Sequence, residues 1–359
     1  MTDLTGTLGD AFRSRAASQP LVEVALESGA AAALDALAGI ADPRHRFLRS
    51  AWFSAAPAGK LRTLVASRPG GPPLAALPLE QSRPFLKSVP GVYWPIRSFP
   101  LAPDARESEL IAFLADPAAR AALGPVWRLG PVRADGPTAS RLLPIAAAAG
   151  WTVLTRNLGT AFVLDLAALR AQGPWPKSST LRKNRNIERK LAEQGELDLK
   201  LFSGPDWTPF LFDALAAIES NSWIASRTDA SDAKFLSPKH RRFWEAVVAD
   251  PRIAAQMHAS ILYVGGAPAA FSFYLCSGRF AYMIANSYDE RFRQQSPGRV
   301  LLYRDFERLA DQGVEAVDWG AGDPGYKSEM GAVAGPAILD HLFVRSTALA
   351  ALIRPFWSR

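Results

Sequence analysis

The chain has 359 residues, 48% of them hydrophobic, and a formal net charge of +7 with a pI near 9.7. That length supports two ordinary domains, each with its own core, and predicts a soluble globular protein. A single cysteine, Cys276, excludes an intramolecular disulfide framework. No apolar run of about eighteen residues is free of charges and prolines, and Met1 to Pro20 lacks the apolar stretch of a signal peptide. A cytoplasmic location is expected, with peripheral contact at the inner face of the membrane left open. The positive charge points to anionic partners, whether coenzyme A, an anionic polysaccharide, lipid headgroups or nucleic acid.

In chain order, the first pattern is a strand-like run at Leu64 to Ser67, a Gly70-Gly71 turn, and a second run at Leu74 to Leu79. Val92 to Ile96 reads as a third strand, Glu107 to Leu114 as a helix and Val126 to Gly130 as a further strand. Between them, Phe99-Pro100-Leu101-Ala102-Pro103 is punctuated by proline and offers few free amides. A helix ending at Gly150 then leads to strands at Trp151 to Thr155 and Thr160 to Leu166. Lys177 to Leu191 is a basic helix with a thin apolar stripe, and Arg182 and Arg185 on it could meet an anionic substrate or a membrane surface.

The second half repeats the order of the first. Ala259 to Val264 and Ala269 to Leu275 are strands joined through Gly265-Gly266, a two-residue hairpin signal, and Phe280 to Ala285 is a third. Ser296 suits a helix N-cap and Pro297 the first helical position. Leu302, Phe306, Leu309 and Ala310 then form one apolar face, and Gly313 ends the helix. Ala316 to Gly320 is a short buried strand. Helices alternating with a largely antiparallel meander predict a mixed α/β (α+β) sandwich rather than a doubly wound sheet.

The most informative stretch is Gln295-Ser296-Pro297-Gly298-Arg299-Val300. The amides of Gly298, Arg299 and Val300 open a helix whose dipole adds partial positive charge, and Gly298 has no side chain to block them. An anion is favoured there. The first half has no such turn, so a phosphate-bearing ligand is expected in the second half only.

A three-strand meander, a glycine-containing turn, a helix and another strand is the order of the GNAT superfamily of N-acetyltransferases. The turn resembles that superfamily's Gln/Arg-x-x-Gly-x-Gly/Ala pattern, with valine in the last position. Asp318-Trp319-Gly320-x-Gly322-Asp323-x-Gly325-Tyr326-Lys327-x-x-Met330-Gly331 resembles the closing motif of the CelD-like, cellulose-biosynthesis-associated acetyltransferases. Glu219 and Trp223, in Glu219-Ser220-Asn221-Ser222-Trp223, resemble that family's acidic-plus-tryptophan segment. The Fem ligases, relatives of the family, carry an aromatic-lysine pair in a comparable place.

The resemblance implies a tandem pair of GNAT-like domains, each a mixed, mostly antiparallel sheet flanked by helices. Residues 1–170 would form the first, 171–200 a basic connecting helix and 201–359 the domain carrying the acyl-CoA site. It implies an acetyl-CoA or longer acyl-CoA donor and direct transfer to an amine. The acceptor would be a polysaccharide precursor, an amino sugar or a lipid amine such as a sphingoid base. Gln295, Ser296, Gly298, Arg299 and Val300 would hold the diphosphate, and an N–H on the strand 280–285 would face the carbonyl oxygen. Glu219, then Asp323, are the candidates for base or amine anchor, because a carboxylate partly desolvated in a cleft is raised toward neutrality. Tyr326 would protonate the leaving thiolate. Lys327 would hold an anionic acceptor group or the polarised carbonyl, and Trp223, Arg182 and Arg185 would contact the acceptor.

His45, His240, His258 and His341 are scattered, so no metal site is indicated, and no Gly-x-Ser-x-Gly turn suggests a nucleophilic serine. Nucleic acid is not expected as a partner, for want of aromatic interleaving in the basic segment. Two rival readings remain: a non-catalytic adaptor for polysaccharide assembly with a degenerate GNAT fold, and a Fem-like aminoacyl transferase.

Overall fold

The computed structural model describes residues 20–56, 60–91, 96–227 and 233–357. Among them twelve strands form one sheet. They are β1 (Glu23–Ser28), β2 (Arg62–Ser67), β3 (Pro73–Arg83), β4 (Leu86–Ser88), β5 (Val126–Arg133), β6 (Thr152–Asp165), β7 (Leu197–Ser203), β8 (Met257–Val264), β9 (Ala267–Ser277), β10 (Phe280–Tyr288), β11 (Ala316–Ala321) and β12 (Val333–Val344). Their order in space is β1-β2-β3-β4-β5-β12-β6-β11-β10-β9-β8-β7.

That order shows two similar halves sharing one sheet. Each begins as an antiparallel meander and closes with a parallel pair around a helical crossover, β4 with β5 in one half and β10 with β11 in the other. At the centre the halves trade strands. β12, last in the chain, pairs with β5, while β6 of the first half pairs with β11. β6 and β12 pair with each other from Thr152↔Val344 to Val163↔Val333, so the seam is continuous sheet.

Local sequence explains many elements. The β8–β9 hairpin turns on Gly265 and Gly266, both at positive φ (58° and 79°), where a two-residue turn matching the strand twist needs glycine. The helix Pro297–Asp311 buries Leu301, Leu302, Phe306 and Leu309. It stops where Gly313 turns left-handed (φ 84°) and the Val314 amide reaches back to the Leu309 carbonyl at 2.9 Å, a glycine C-terminal motif.

The largest core is aromatic. Trp52, Phe243, Trp244 and Phe273 meet edge to face at ring-centroid separations of 4.8–6.0 Å. A second core follows the Pro297 helix. There Phe306 packs edge-on against Trp319 at 4.8 Å, and Trp319 against Tyr326 at 5.5 Å.

Two expectations need correction. Instead of a helix running to Gly150, only Ala139–Leu142 is helical, followed by turns. The two strands expected at Trp151–Thr155 and Thr160–Leu166 are one strand, β6, kinked where the Asn157 carboxamide accepts the Gly159 amide at 2.9 Å. The pairing along β12 carries it across the polar interruption. Of the strand expected at Val92–Ile96, residues 92–95 lie outside the described residues. The short strand beside β5 is Leu86–Ser88.

Candidate active site

The parallel pairing of β10 with β11 covers only Phe280↔Ala316, Ala281↔Val317 and Tyr282↔Asp318. β10 continues to Tyr288, and β11 bends toward β6. β10 also slips register against β9 between Met283 and Ala285, a bulge that increases local twist. Past Tyr282 the two strands diverge and leave a cleft of about 230 Å³. Asn286 and Tyr288 form its strand wall, Gly298, Arg299 and Leu302 its helix wall, and Tyr326 and Met330 close it from the loop after β11.

The helix wall begins at Ser296, the N-cap residue, but not as a conventional cap. Ser296 is left-handed (φ 48°, ψ 54°) and its hydroxyl makes no capping bond. Its carbonyl accepts the Arg299 amide at 3.1 Å and, as the N-cap carbonyl of a helix beginning at Pro297, also takes the Val300 amide in the first i→i−4 bond, so of the three amides expected to be open only that of Gly298 is. A non-glycine residue in this conformation carries a cost of order 1 kcal/mol. A Cβ on Gly298 would sit 3.5 Å from the Tyr288 ring; the glycine keeps the cleft open beside that ring. The Val300 side chain is 3% exposed, so the valine that departs from the family pattern faces the core, and Val300 is not among the residues that line the cleft.

Two polar atoms here are buried without a partner, Oε1 of Gln295 and Nε of Arg299. Buried polar groups are nearly always bonded, so such atoms mark a place for a ligand or water. The Arg299 guanidinium is held by Glu329 at 3.0 Å and lies 5.7 Å above the Tyr303 ring.

The loop after β11 divides its residues between cleft and scaffold. Tyr326 lines the cleft and shares a hydrogen bond with Asn286. Burial, aided by the Asp323 charge, pushes its hydroxyl above the usual tyrosine range, against the bond to Asn286. Lys327 points the other way. It is 5% exposed, and its ammonium donates to the carbonyls of Trp319 (2.7 Å), Ala321 (3.3 Å) and Gly322 (2.7 Å). Burial lowers its pKa. The expectation that Lys327 meets substrate is therefore corrected: it ties the loop down.

Asp323 is corrected too. One oxygen accepts the Gly325 and Lys327 amides at 2.7 and 3.2 Å, and the other bonds the Ser328 hydroxyl. The Ser328 bond chiefly lowers its pKa, opposite to what a base near neutrality requires.

The cleft thus lies where a parallel strand pair separates beside a helix start. Residues 178–328 match the family model of the acetyltransferase (GNAT) domain. Among solved structures, FemX superposes with a TM-score of 0.57 at 12% identity, covering 89% of this chain and 97% of that one. The C-terminal domain of a putative lysylphosphatidylglycerol synthetase from Agrobacterium fabrum gives 0.52 at 14% identity, covering 89% and 92%. L-PGS from Bacillus licheniformis gives 0.54 at 11% identity, covering 90% and 94%. These likenesses are of fold. No curated protein matches the chain in sequence. Residues 178–328 thus match a GNAT domain, and the chain shares its overall fold with these structures.

Other expected residues lie outside the GNAT cleft. Glu219 is 1% exposed. Its carboxylate accepts the backbone amides of Lys234, Phe235 and Leu236 at 2.8, 2.8 and 2.9 Å. Both oxygens are engaged in fixing that turn, which corrects its expected role as base. Trp223 is 44% exposed on a short helix. Arg182 and Arg185 are on the solvent side of the helix Ser178–Ala192, which packs on the Pro297 helix and is tied to it by Glu188 and Arg304 at 2.7 Å.

Asn286, Tyr288, Leu302 and Met330 are cleft residues that the sequence reading assigned no role. A signal was present for the first two: Asn286-Ser287-Tyr288 interrupts an apolar strand with polar groups at its exit. Met330 stood inside the quoted motif, and Leu302 was assigned to the apolar face.

Proposed function

We propose that this chain is an acyl-CoA-dependent N-acyltransferase that passes an acyl group directly to an amine. The observation that carries the reading is the splayed β10–β11 cleft, which runs from an open, glycine-bearing helix start to the Tyr326 hydroxyl. The residues fit the donor. Gln295, Ser296, the Gly298 amide and the Arg299 side chain would receive the diphosphate, where helix dipole and guanidinium both favour negative charge; the Val300 amide, bonded within the helix, would not. The apolar walls, Leu302 and Met330, suit a pantetheine arm.

For the transfer, the amine nitrogen attacks the thioester carbonyl, the C–S bond breaks, and the thiolate takes a proton. Backbone N–H groups of β10 past Tyr282 would stabilise the oxyanion, a contribution of about 3 kcal/mol in comparable sites. Tyr326 would supply the thiolate's proton, because it lines the cleft and a phenol is protonated at neutral pH. With Glu219 and Asp323 committed elsewhere, the amine proton would leave to water in the cleft. A covalent cysteine route is unsupported: burial pushes the Cys276 thiol up to about 12, and the thiolate is the nucleophile.

The acceptor we favour is an amine on a polysaccharide precursor or amino sugar, or a lipid amine. The exposed Arg182 and Arg185 on the helix beside the site would draw it in if it is anionic. Thermal unfolding tests the donor. Coenzyme A at a hundred times its Kd should add about 2.7 kcal/mol of stability, and tRNA should add none. Stabilisation by tRNA alone would favour aminoacyl transfer, and no response to either would favour the adaptor.

A further inference from the structure

A second groove lies at the far end of β6 and β12 and shares no wall residue with the acyl cleft. It is larger, about 680 Å³, and combines apolar rims with a cationic floor. On one rim, the β3–β4 hairpin presents Phe85 in a left-handed turn (φ 63°) with 80% of its surface exposed. On the other, the helix Thr347–Trp357 packs Leu349, Ile353 and Trp357 inward against Val126, Leu154 and Leu342. The spacing i, i+4, i+8 then leaves Leu352 and Phe356 facing outward, 70% and 76% exposed. These are among the most exposed large hydrophobic side chains of the described residues, and Phe85 and Phe356 flank the same groove.

The floor carries Arg128 and Arg156. Among the described residues a single carboxylate, Asp340, serves both, at 2.7 and 2.8 Å, and is itself fully buried. One guanidinium charge is therefore left over, and Arg83 on the rim adds another. Arg156 stacks 4.0 Å from the Trp357 ring centroid, which fixes its plane. Trp357 Nε1 is buried without a partner.

We propose that this groove docks the chain onto an anionic phospholipid bilayer. Phe85, Leu352 and Phe356 enter the boundary between headgroups and acyl chains, and the arginines take headgroup phosphates, which guanidinium binds in a planar, paired fashion. Among the described residues no helix is long and apolar enough to cross a membrane, so the contact is peripheral. Charge decides between a bilayer and a second copy of the chain. Two like grooves apposed across a two-fold axis would bring cationic floors together, whereas an anionic surface is complementary to them. The inference stands independently of the acyl-transfer reading.

The test is co-sedimentation of the full chain with vesicles of phosphatidylcholine alone and of phosphatidylcholine with phosphatidylglycerol. Binding to the anionic vesicles and release by raised salt are expected. The double substitution Phe85→Ser, Phe356→Ser should weaken vesicle binding about tenfold and leave coenzyme A binding unchanged, since both side chains are exposed and distant from that cleft. Arg83→Glu should weaken it as well. Equal binding to both vesicle types, no binding, or unchanged binding by the double variant would overturn the proposal. So would a dimer in solution that the double variant dissociates.

Discussion

The two halves of the sheet meet the same structural problem with opposite solutions. Each follows the first strand of its parallel pair with a helix whose leading amides have no helical acceptor. In the first half that helix is Glu107–Ala115, and its third residue, Glu109, is fully buried and turned back on the helix start. Its carboxylate accepts the Arg106 amide at 2.8 Å and pairs with Arg68 at 2.9 Å and Arg106 at 2.7 Å. In the second half the third helical residue is Arg299, no acid lies in the first turn, and the start faces the cleft. The helix start is filled from within by a carboxylate in one half and carries no acid in the other. That difference is why we place the proposed anionic co-substrate in the second half, although the architecture is repeated.

The largest expected effect comes from emptying the filled slot. Glu109→Gln removes the charge that Arg68 and Arg106 face and should lower the urea midpoint clearly, although Arg68 keeps its pair with Asp104 at 2.9 Å and Arg106 is 65% exposed. Coenzyme A binding should be unaffected. The pH dependence has a definite sign. The bonds from Arg68 and Arg106 hold the Glu109 carboxyl well below the usual range. Its contribution is thus present above the unfolded pKa of about 4.3 and is lost as pH falls further. Wild type and variant should converge in acid, and a constant difference would argue for packing instead of charge.

The reverse experiment fills the open slot. Arg299→Glu places an acid at the third helical position, as in the first half, and removes a cation from the cleft. It also sets two acids together, since Arg299 pairs with Glu329. Coenzyme A should bind about a hundredfold more weakly by calorimetry, the size of losing a charge-assisted bond and gaining repulsion. Stability should move much less, because the present pair is exposed on its Glu329 side (64%). If affinity is retained, the helix start is not where the diphosphate sits.

This contrast was only half legible in the sequence. Ser296-Pro297-Gly298 announces a helix start because its signals are local, a proline at the first position and a missing side chain, although the cap expected of the Ser296 hydroxyl is not made. The Gly265-Gly266 hairpin and the strands beside it are local in the same sense. Glu109 gave no comparable sign, since arginine instead of serine or threonine stands at its N-cap and hides the capping box. The strand exchange of β6 and β12 was invisible because it joins residues nearly two hundred positions apart, such as Arg156 and Asp340. Glu219 and Lys327 show a further limit. Both have the chemistry of active-site groups, and only the coordinates reveal that backbone amides and carbonyls surround them.

The smallest of these effects concerns Tyr326, the proton donor we propose beside the open slot. Tyr326→Phe keeps the ring against Trp319 and removes only the hydroxyl, so stability and thioester affinity should change little. If the phenol protonates the thiolate, kcat should fall about tenfold or more while KM for the donor holds. Asn286 separates this role from mere packing. Its hydrogen bond stabilises the phenolate and opposes the upward shift that burial imposes on Tyr326. Asn286→Ala should therefore raise the Tyr326 pKa further and move the alkaline limb of the kcat profile to higher pH. A purely structural tyrosine would lose rate on substitution without that limb moving, whereas a proton donor ties the two changes together.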